Sequence, residues 1–306
     1  MHLFSRAVGL KSIQSRSAMD RLIGNMIDQA IVNDRVLYAA EEESPDGYYE
    51  AQINAVTLQE DLGGIVIRGL YNPSLRKFHK LFTYPYIAGS NAHICADAHI
   101  ERQADKEAYM VHCNDNDREV SPIFFLSNIT DYLNDRSETV DGMRTGDEKN
   151  PHIVFMSALA TEGKIIFPVY KSQKQIAKSK AATKKRSELV DRALQGDQEA
   201  MDSLTISDYD VLANVCRRAV REDVYSIVDS SFIPSGLECD AYSVVGNIRK
   251  VRQVRNILTD EEVYVMTLEC NDVIFDLGIH TEDLMGLPQV GYRFVGKIWL
   301  QGSLAF

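Results

Sequence analysis

The spacing of apolar residues predicts a helix near the start of the chain and strands after it. Between residues 15 and 34, apolar side chains recur every three or four positions, which is the spacing of one face of a helix. Ser17, followed three residues later by Asp20, predicts a capping box at its start. The segment GGIVIRGLY, which begins with Gly63 and Gly64, is rich in β-branched residues and predicts a β-strand.

Residues 92–114 predict a β-hairpin with one polar side. The stretch NAHICADAHIE alternates throughout, and side chains two positions apart on a strand share a side. The polar side is then His93, Cys95, Asp97, His99 and Glu101. If Asp105 and Lys106 form the turn, His99 faces His112 and Asp97 faces Asn114. A shift of one residue would carry His112 to the other side.

Further elements follow in the middle of the chain. VSPIFFL predicts a strand, NITDYLND a short helix, and HIVFMSALATEGKIIFPVY a second hairpin with TEGK at its tip. After residue 170 the sequence is polar and helix-prone, and Gly196 and Asp197 predict the end of one helix and the N-cap of the next. We expect a mainly helical segment here.

The last part of the chain contains four strand candidates. They lie in AYSVVGNIRKVRQVRN, EEVYVMTLEC, DVIFDLGI and GYRFVGKIWLQG, and a short helix, TEDLMG, precedes the last one. We predict an α+β fold in three parts. Residues 1–170 form a mixed or antiparallel sheet with a helix, 171–223 a helical connector, and 224–306 a small OB-like β-barrel, with a plain meander as the alternative.

Composition and cysteine content indicate a folded protein of the cytoplasm. The chain has 306 residues, enough for about two domains, with 45% hydrophobic and 25% charged residues. We find no export signal and no apolar run of membrane-spanning length, so we expect a cytoplasmic protein without membrane contact. The five cysteines are scattered and contain no C-x-x-C pair, so we expect free thiols and no disulfide.

Charge weighs against general binding to nucleic acid. The net charge is −11, although residues 171–192 carry eight basic side chains against two acidic ones. An acidic body repels phosphate backbones, whereas a local basic segment suits contact with an acidic protein surface.

Two groups of residues are candidate sites. His99, His112 and Asp97 offer two or three ligands for a metal such as zinc, but a solvated polar strand explains the same alternation. Arg249, Lys250, Arg252 and Arg255 lie on the first strand of the predicted barrel, which also contains several aromatic residues. OB-folds bind single-stranded nucleic acid with such groups. However, residues 236–306 contain ten acidic and six basic side chains, and most of the aromatic residues alternate with core positions.

No motif for catalysis or cofactor binding is present. The chain has no phosphate-binding glycine loop and no G-x-S-x-G elbow, and we expect no cofactor. MHLFSRAVG, EDVYSIVDSSFIPSGLECDAYSVVGNI and VGYRFVGKIWLQG resemble a family of uncharacterised proteins from clostridial gut bacteria, a domain of unknown function. The resemblance spans nearly the whole chain and implies a cytoplasmic bacterial protein without an assigned activity.

We therefore expect a non-enzymatic protein that acts through contact with a protein partner or with itself. The first alternative is a metal-binding protein or enzyme that uses the His93–His112 hairpin. The second is single-stranded nucleic-acid binding by the C-terminal strands.

Overall fold

The computed structural model describes residues 2–39, 46–103, 108–114, 120–138, 151–168, 188–189, 192–193, 196–206 and 228–306. These residues fall into two compact units, one formed by 1–166 with 231–306 and the other by 167–230. No helix within the described ranges is long and apolar enough to cross a membrane. Most of the predicted helical connector, including most of its basic segment, lies outside the described residues.

The unit of residues 167–230 confirms one predicted helix start. Gly196 has a φ of 88°, in the left-handed region. Asp197 Oδ1 then accepts hydrogen bonds from the backbone N–H groups of Glu199 and Ala200, at 3.0 and 3.1 Å, and residues 198–206 are helical.

After a 3-10 helix at Leu3–Val8, the larger unit continues with an α-helix and a four-stranded antiparallel sheet. Helix α1 spans Arg16–Val32, and the strands follow in the order β1-β2-β3-β4: β1 Leu37–Tyr38, β2 Tyr49–Val56, β3 Gly63–Asn72, β4 Lys77–Ile87. The predicted apolar face of α1 is confirmed, since Met19 and Ile23 share a core with Ile53 and Ile67. The predicted cap is wrong by two residues, because the hydroxyl that accepts from the backbone of the first turn belongs to Ser15.

A second, larger sheet contains twelve strands. They are β5 Ala92–Cys95, β6 Asp97–Gln103, β7 Ala108–Asn114, β8 Ile123–Leu126, β9 His152–Ala160, β10 Gly163–Ile166, β11 Ser231–Pro234, β12 Ala241–Arg255, β13 Glu262–Cys270, β14 Val273–His280, β15 Leu284–Met285 and β16 Arg293–Ala305. Helix α2, Ile129–Glu138, lies between β8 and β9. All four strands predicted in the last part are confirmed, and together the elements form a sheet-rich α+β fold.

Five of these strands pair in a closed ring. The order is β12, β13, β14, β9 and β16, and β16 pairs again with β12. The β14–β9 pair is parallel and the other four pairs are antiparallel. We had predicted that residues 224–306 form a barrel by themselves. The described part of this segment does not close the ring, because β9, which precedes it in the chain, supplies one of the five strands.

The predicted hairpin of residues 152–170 is wrong. Strands β9 and β10 pair with β16 rather than with each other, and Ala158 and Gly163 face Leu300 and Gly296. The short segment between them shifts the register along β16 instead of reversing the chain. Pairing with a distant strand has replaced the local turn that the spacing predicted.

The stretch of residues 91–101 is two strands rather than one. Strand β5 pairs with β9 whereas β6 pairs with β7, and the chain bends at Ala96 between them. The bend exchanges the two sides, so that Cys95 is buried while Ile94 is 69% exposed. Cys95 forms a disulfide with Cys113, so our expectation of no disulfide is wrong for this pair.

Candidate functional site

The predicted register of the histidine hairpin is confirmed. His99 faces His112 and Asp97 faces Asn114 across β6 and β7. The two imidazole centroids are 6.4 Å apart, and the Glu101 carboxylate lies close to both rings. Its oxygens are 3.1 Å from His99 Nε2 and 3.8 Å from His112 Nε2. His99 is exposed and His112 is half-buried on this strand face.

Metal binding by this pair stays a prediction. Within the described part of the chain, no three His, Cys, Asp or Glu side chains are grouped closely enough to hold a metal ion. His93 lies on β5, outside the hairpin, and its Nε2 is 2.6 Å from the backbone oxygen of Ile274. The structure thus brings His99 and His112 together, with Glu101 beside them, but these side chains are not arranged as a group that could hold a metal ion.

The three arginines of β12 are bound to carboxylates of the same protein, and the fourth basic side chain of the predicted group, Lys250, is exposed. Arg249 pairs with Glu269, and Arg252 Nη1 lies 3.3 Å from Glu60. Arg255 lies 3.0 Å from Asp260 and also contacts Glu262. Four aromatic residues of the same region are buried, namely Tyr242, Phe275, Phe294 and Trp299, whereas Tyr264 and Tyr292 are partly buried. Nucleic-acid binding here stays a prediction, and these ion pairs weaken its electrostatic basis.

A cleft of about 520 Å³ lies between the two sheets of the larger unit. Strand β4 forms one wall, strands β7, β8, β12 and β16 form the other, and the first residues of the chain lie across one end. Its lining residues are His2, Leu3, Phe4, Phe82, Thr83, Tyr84, Gln103, Ala108, Met110, Phe125, Glu238, Asp240, Ala241 and Trp299. The volume is within the range of ligand-binding pockets, roughly 300 to 1,000 Å³.

Aromatic rings surround Trp299 in this cleft. Its ring centroid lies 4.8 Å from that of His2, 5.4 Å from that of Phe4 and 5.3 Å from that of Phe125. Tyr84 meets Trp299 edge-on at 6.4 Å. Rings from the chain start, β4, β8 and β16 therefore meet at one indole and give this part of the cleft an apolar, aromatic lining.

The described lining of the cleft contains two carboxylates, those of Asp240 and Glu238, beside the uncharged polar side chains of Thr83, Tyr84 and Gln103. The Trp299 indole N–H donates to Asp240 Oδ2 at 2.6 Å, which fixes this carboxylate beside the ring. Glu238 is exposed at the entrance. Burial lowers the pKa of His2 to about 4, so its imidazole is neutral at pH 7. The described lining residues include no Lys or Arg and no Ser or Cys.

Buried polar side chains hold the wall formed by the four-stranded sheet in place. Gln52 Nε2 and the Tyr84 hydroxyl both donate to the backbone oxygen of Ser127, at 2.9 and 3.0 Å. Gln301 Nε2 donates to the backbone oxygen of Pro85 at 2.8 Å. These bonds connect β2 and β4 to the larger sheet, so the spacing of the cleft walls is fixed by directed contacts.

A second titratable cluster surrounds His280, which is buried. Its Nδ1 accepts from the backbone N–H of Glu282 at 3.1 Å, and its Nε2 lies 3.3 Å from Glu261 without hydrogen-bond alignment. The Glu261 carboxylate also accepts from the backbone N–H groups of Lys11 and Ser12. Because Nδ1 of His280 already accepts a hydrogen bond, this nitrogen is poorly placed to take up a proton as a general base. The contacts of Glu261 with Lys11 and Ser12 anchor the start of the chain to this cluster.

The sequence did not reveal the aromatic cleft. Its residues come from separate stretches that only the pairing of distant strands brings together. One signal was available, since Trp299 is the only tryptophan of the chain and such side chains are enriched in binding sites. The position of Trp299 in a strand pattern had suggested only a core role.

Comparison with known proteins gives a family but no function. A family model described as "Domain of unknown function, E. rectale Gene description (DUF3881)" matches residues 5–302. Neither the curated proteins nor the solved structures gave a match. The match confirms the resemblance to a family from clostridial gut bacteria. The chain therefore belongs to the DUF3881 family, a domain of unknown function.

Proposed function

We propose that this chain is a non-enzymatic binding protein and that the aromatic cleft around Trp299 receives a segment of a partner protein. The observation that carries this proposal is the cleft itself, an apolar cavity of about 520 Å³ with aromatic rings on several sides. Protein interfaces concentrate their binding energy in pockets of this kind, where aromatic side chains exclude water from an anchor residue.

The surroundings of the cleft favour a protein partner over a free small molecule. Leu3, a lining residue, is 69% exposed, and Leu237, adjacent in sequence to Glu238, is fully exposed. Apolar side chains that stand in water beside a pocket are typical of surfaces that another chain covers. A ligand enclosed by the cleft alone would leave both of them in contact with solvent.

The composition of the cleft gives little support for catalysis. Its described lining has carboxylates and aromatic rings but no serine or cysteine nucleophile. The imidazole of His2 is packed between Phe4 and Trp299. A hydrolytic or transfer reaction needs a nucleophile, a base and a group that stabilises the developing charge, and this set is not assembled here.

We also infer that the five-stranded ring is OB-like, with β9 in the place of one strand that the C-terminal segment does not supply. The strand number and the antiparallel pairing of β12, β13 and β14 support this inference. Single-stranded nucleic acid would then be a candidate ligand of the ring. The ion pairs of Arg249, Arg252 and Arg255 make it the weaker proposal.

Affinity capture with matched leucine variants tests the proposal. Tagged wild-type protein, Leu237→Glu and Leu75→Glu are used to capture proteins from a lysate of the native host, and the bound proteins are quantified by mass spectrometry. Leu75 is also highly exposed, at 67%, but lies at the turn between β3 and β4. We expect a partner that wild type and Leu75→Glu retain and that Leu237→Glu loses.

Equal capture by all three proteins would contradict the proposed role of the cleft. Light scattering of the same samples separates a second copy of this chain from a different partner, because self-association through the cleft would be lost in Leu237→Glu alone.

A further inference from the structure

A second cavity, of about 260 Å³, lies between the two sheets of the larger unit and shares no described lining residue with the aromatic cleft. Strands β2, β3 and β4 line it from one side and β9 and β16 from the other, together with residues at the start of α2. We call it the polar cavity, after the side chains of Asn54, Tyr86, Asp131, Ser157 and Ser303 that line it. We propose that it binds a small uncharged molecule with several hydroxyl groups, such as a monosaccharide or a cyclic polyol.

The polar groups of this cavity are mainly uncharged. Tyr86, Ser157 and Ser303 contribute hydroxyls and Asn54 contributes an amide, whereas the one carboxylate of the described lining, that of Asp131, is exposed. The described lining contains no Lys, Arg or His. Proteins bind phosphate and carboxylate groups tightly through charge-assisted hydrogen bonds from such residues. The lining therefore favours an uncharged ligand over an anion.

A row of buried polar residues crosses the wall that the large sheet forms. Thr267, Asp276, Ser157 and Gln301 are direct neighbours on β13, β14, β9 and β16. Residues opposite one another on adjacent strands point to the same side of a sheet, and all four are more than nine-tenths buried. Asp276 accepts hydrogen bonds from the Thr267 hydroxyl and from the backbone N–H and hydroxyl of Ser90, each at 2.6 Å. The row thus forms a hydrogen-bonding surface where an apolar one is usual.

Ser157 is the residue of this row that lines the polar cavity. It is only 3% exposed, and the described residues give its hydroxyl no hydrogen-bond partner. Its neighbour Gln301 donates through Nε2 to the backbone oxygen of Pro85 at 2.8 Å, while its Oε1 is buried without a partner. A buried hydroxyl without a partner costs free energy, and an occupant of the cavity that hydrogen-bonds to Ser157 removes this cost.

The four-stranded sheet contributes hydrogen-bond donors from the opposite wall. Burial raises the pKa of the Tyr86 hydroxyl to about 12, so it stays protonated at pH 7. Asn54 Oδ1 accepts from Gln52 Nε2 at 2.7 Å, which leaves the amide NH₂ of Asn54 as a donor group. The two walls therefore offer donors on one side and a serine hydroxyl, which can donate or accept, on the other.

The start of α2 is attached to the large sheet, so this part of the cavity is formed before a ligand enters. The Ser127 hydroxyl donates to the backbone oxygen of Gly302 at 2.9 Å. The Asn128 amide donates to the backbone oxygen of Leu304 at 2.8 Å and accepts from its N–H at 3.1 Å. A preformed site avoids the cost of ordering these groups on binding.

A ligand with several hydroxyls matches this mixture of groups. Each hydroxyl both donates and accepts, so it can pair with the Asn54 amide, the Asp131 carboxylate or the Ser157 hydroxyl. An anion can only accept and an ammonium can only donate. Val66 and Ile87 add apolar contacts for the C–H groups of a ring. The volume lies just below that of pockets for drug-sized ligands, roughly 300 to 1,000 Å³, which favours a molecule with a single ring.

Ligand-observed NMR of the full-length protein provides the test. Saturation-transfer spectra are recorded with D-glucose, D-galactose, D-mannose, D-ribose and myo-inositol, each titrated to millimolar concentration. We expect at least one of these polyols to bind, and we expect that added inorganic phosphate does not displace it.

Matched variants locate the binding. Ser157→Ala and Tyr86→Phe each remove one hydroxyl, from opposite walls, and each should weaken binding of the polyol by about threefold to tenfold. Ser243→Ala changes an exposed serine of β12 outside the cavity and should have no effect. Leu237→Glu, which tests the aromatic cleft, should also leave polyol binding unchanged. Thermal unfolding of each variant verifies that it is folded.

Every outcome decides the assignment. Failure of all these polyols to bind overturns it, and so does equal affinity in wild type, Ser157→Ala and Tyr86→Phe, because the polyol then binds elsewhere. Displacement by phosphate rejects an uncharged ligand. Weaker binding in either hydroxyl variant, with full binding in Ser243→Ala, supports the inference. Capture of a protein partner is measured independently, so this inference can fail while the proposed function stands.

Discussion

Among individual residues, His2 shows how the cleft changes the chemistry of a side chain. The imidazole packs 4.8 Å from Trp299 and 5.9 Å from Phe4, in surroundings that disfavour its charged form. Burial accordingly lowers its pKa to about 4. Protonation must then weaken the folded state, because the unfolded chain binds the same proton at a higher pH.

The first prediction concerns acid stability. Stability from neutral His2 is fully present above the unfolded pKa of about 6.5 and is lost as pH falls toward the folded pKa of about 4. In urea unfolding at about pH 5 and pH 7.5, we expect His2→Phe to lose less stability than wild type, by up to about 2 kcal/mol. If the free energy of unfolding of the two proteins changed equally between these pH values, the lowered pKa of His2 would be contradicted.

At the residue scale, only local arrangements could be predicted from the sequence. The facing of His99 and His112 followed from strand alternation and the position of the turn, and it is confirmed. The exchange of the buried and exposed sides at Ala96 could not be predicted, because the same alternation fits one straight strand or two strands joined by a bend. The contact of Asp240 with Trp299 depends on pairing between β12 and β16, which spacing alone does not give.

Among the elements, β3 and β4 contain an irregularity that depends on a glycine. Their register shifts between Arg68 and Gly69, where two backbones approach closely. A Cβ at Gly69 would lie 2.1 Å from the backbone oxygen of His79, far inside contact distance. Since β4 forms one wall of the cleft, the irregularity also affects the position of that wall.

The second prediction compares two glycine-to-alanine substitutions. Gly69→Ala should lower the free energy of unfolding by about 2 kcal/mol or more, because the backbone must move to relieve the contact. Gly24→Ala, on helix α1 with no atom within 4 Å of the added Cβ, should raise it by up to about 1 kcal/mol. Chemical denaturation measures both, and a similar effect of the two substitutions would refute the close approach at Gly69.

Strand existence was easier to predict than strand pairing. The segments that became β3, β12, β13, β14 and β16 were all recognisable from their alternation and their β-branched residues. The partners of β9 and β10 were not, because their hydrogen bonds go to β16 rather than to each other. Non-local pairing competes with short turns, and apolar spacing carries no information about which distant strand is chosen.

On the scale of the whole molecule, the disulfide connects two regions of the large sheet. Cys95 ends β5, which pairs with β9, whereas Cys113 lies on β7, which pairs with β6 and β8. The bond closes a loop with a sequence separation of 18 residues. In the loop-entropy model a crosslink of about this length stabilises a fold by roughly 3 kcal/mol.

The third prediction is a thiol count. Protein purified without reductant and unfolded in guanidinium should gain two titratable thiols on reduction, from Cys95 and Cys113, and its midpoint of unfolding should fall. Cys239→Ser removes an exposed free thiol and should leave that gain of two unchanged. No gain on reduction would show that the two sulfurs are unbonded in the purified protein.

The closed ring also has a consequence for how the chain is made. β9 is synthesised long before β14 and β16, which begin at Val273 and Arg293 and hydrogen-bond to it in the ring. Until β14 and β16 have emerged from the ribosome, the edges of β9 that pair with them have no partner. Unpaired strand edges promote aggregation. Closure of the ring should therefore be slow and should follow the synthesis of β16, and nascent chains stalled before β14 should be clients of chaperones.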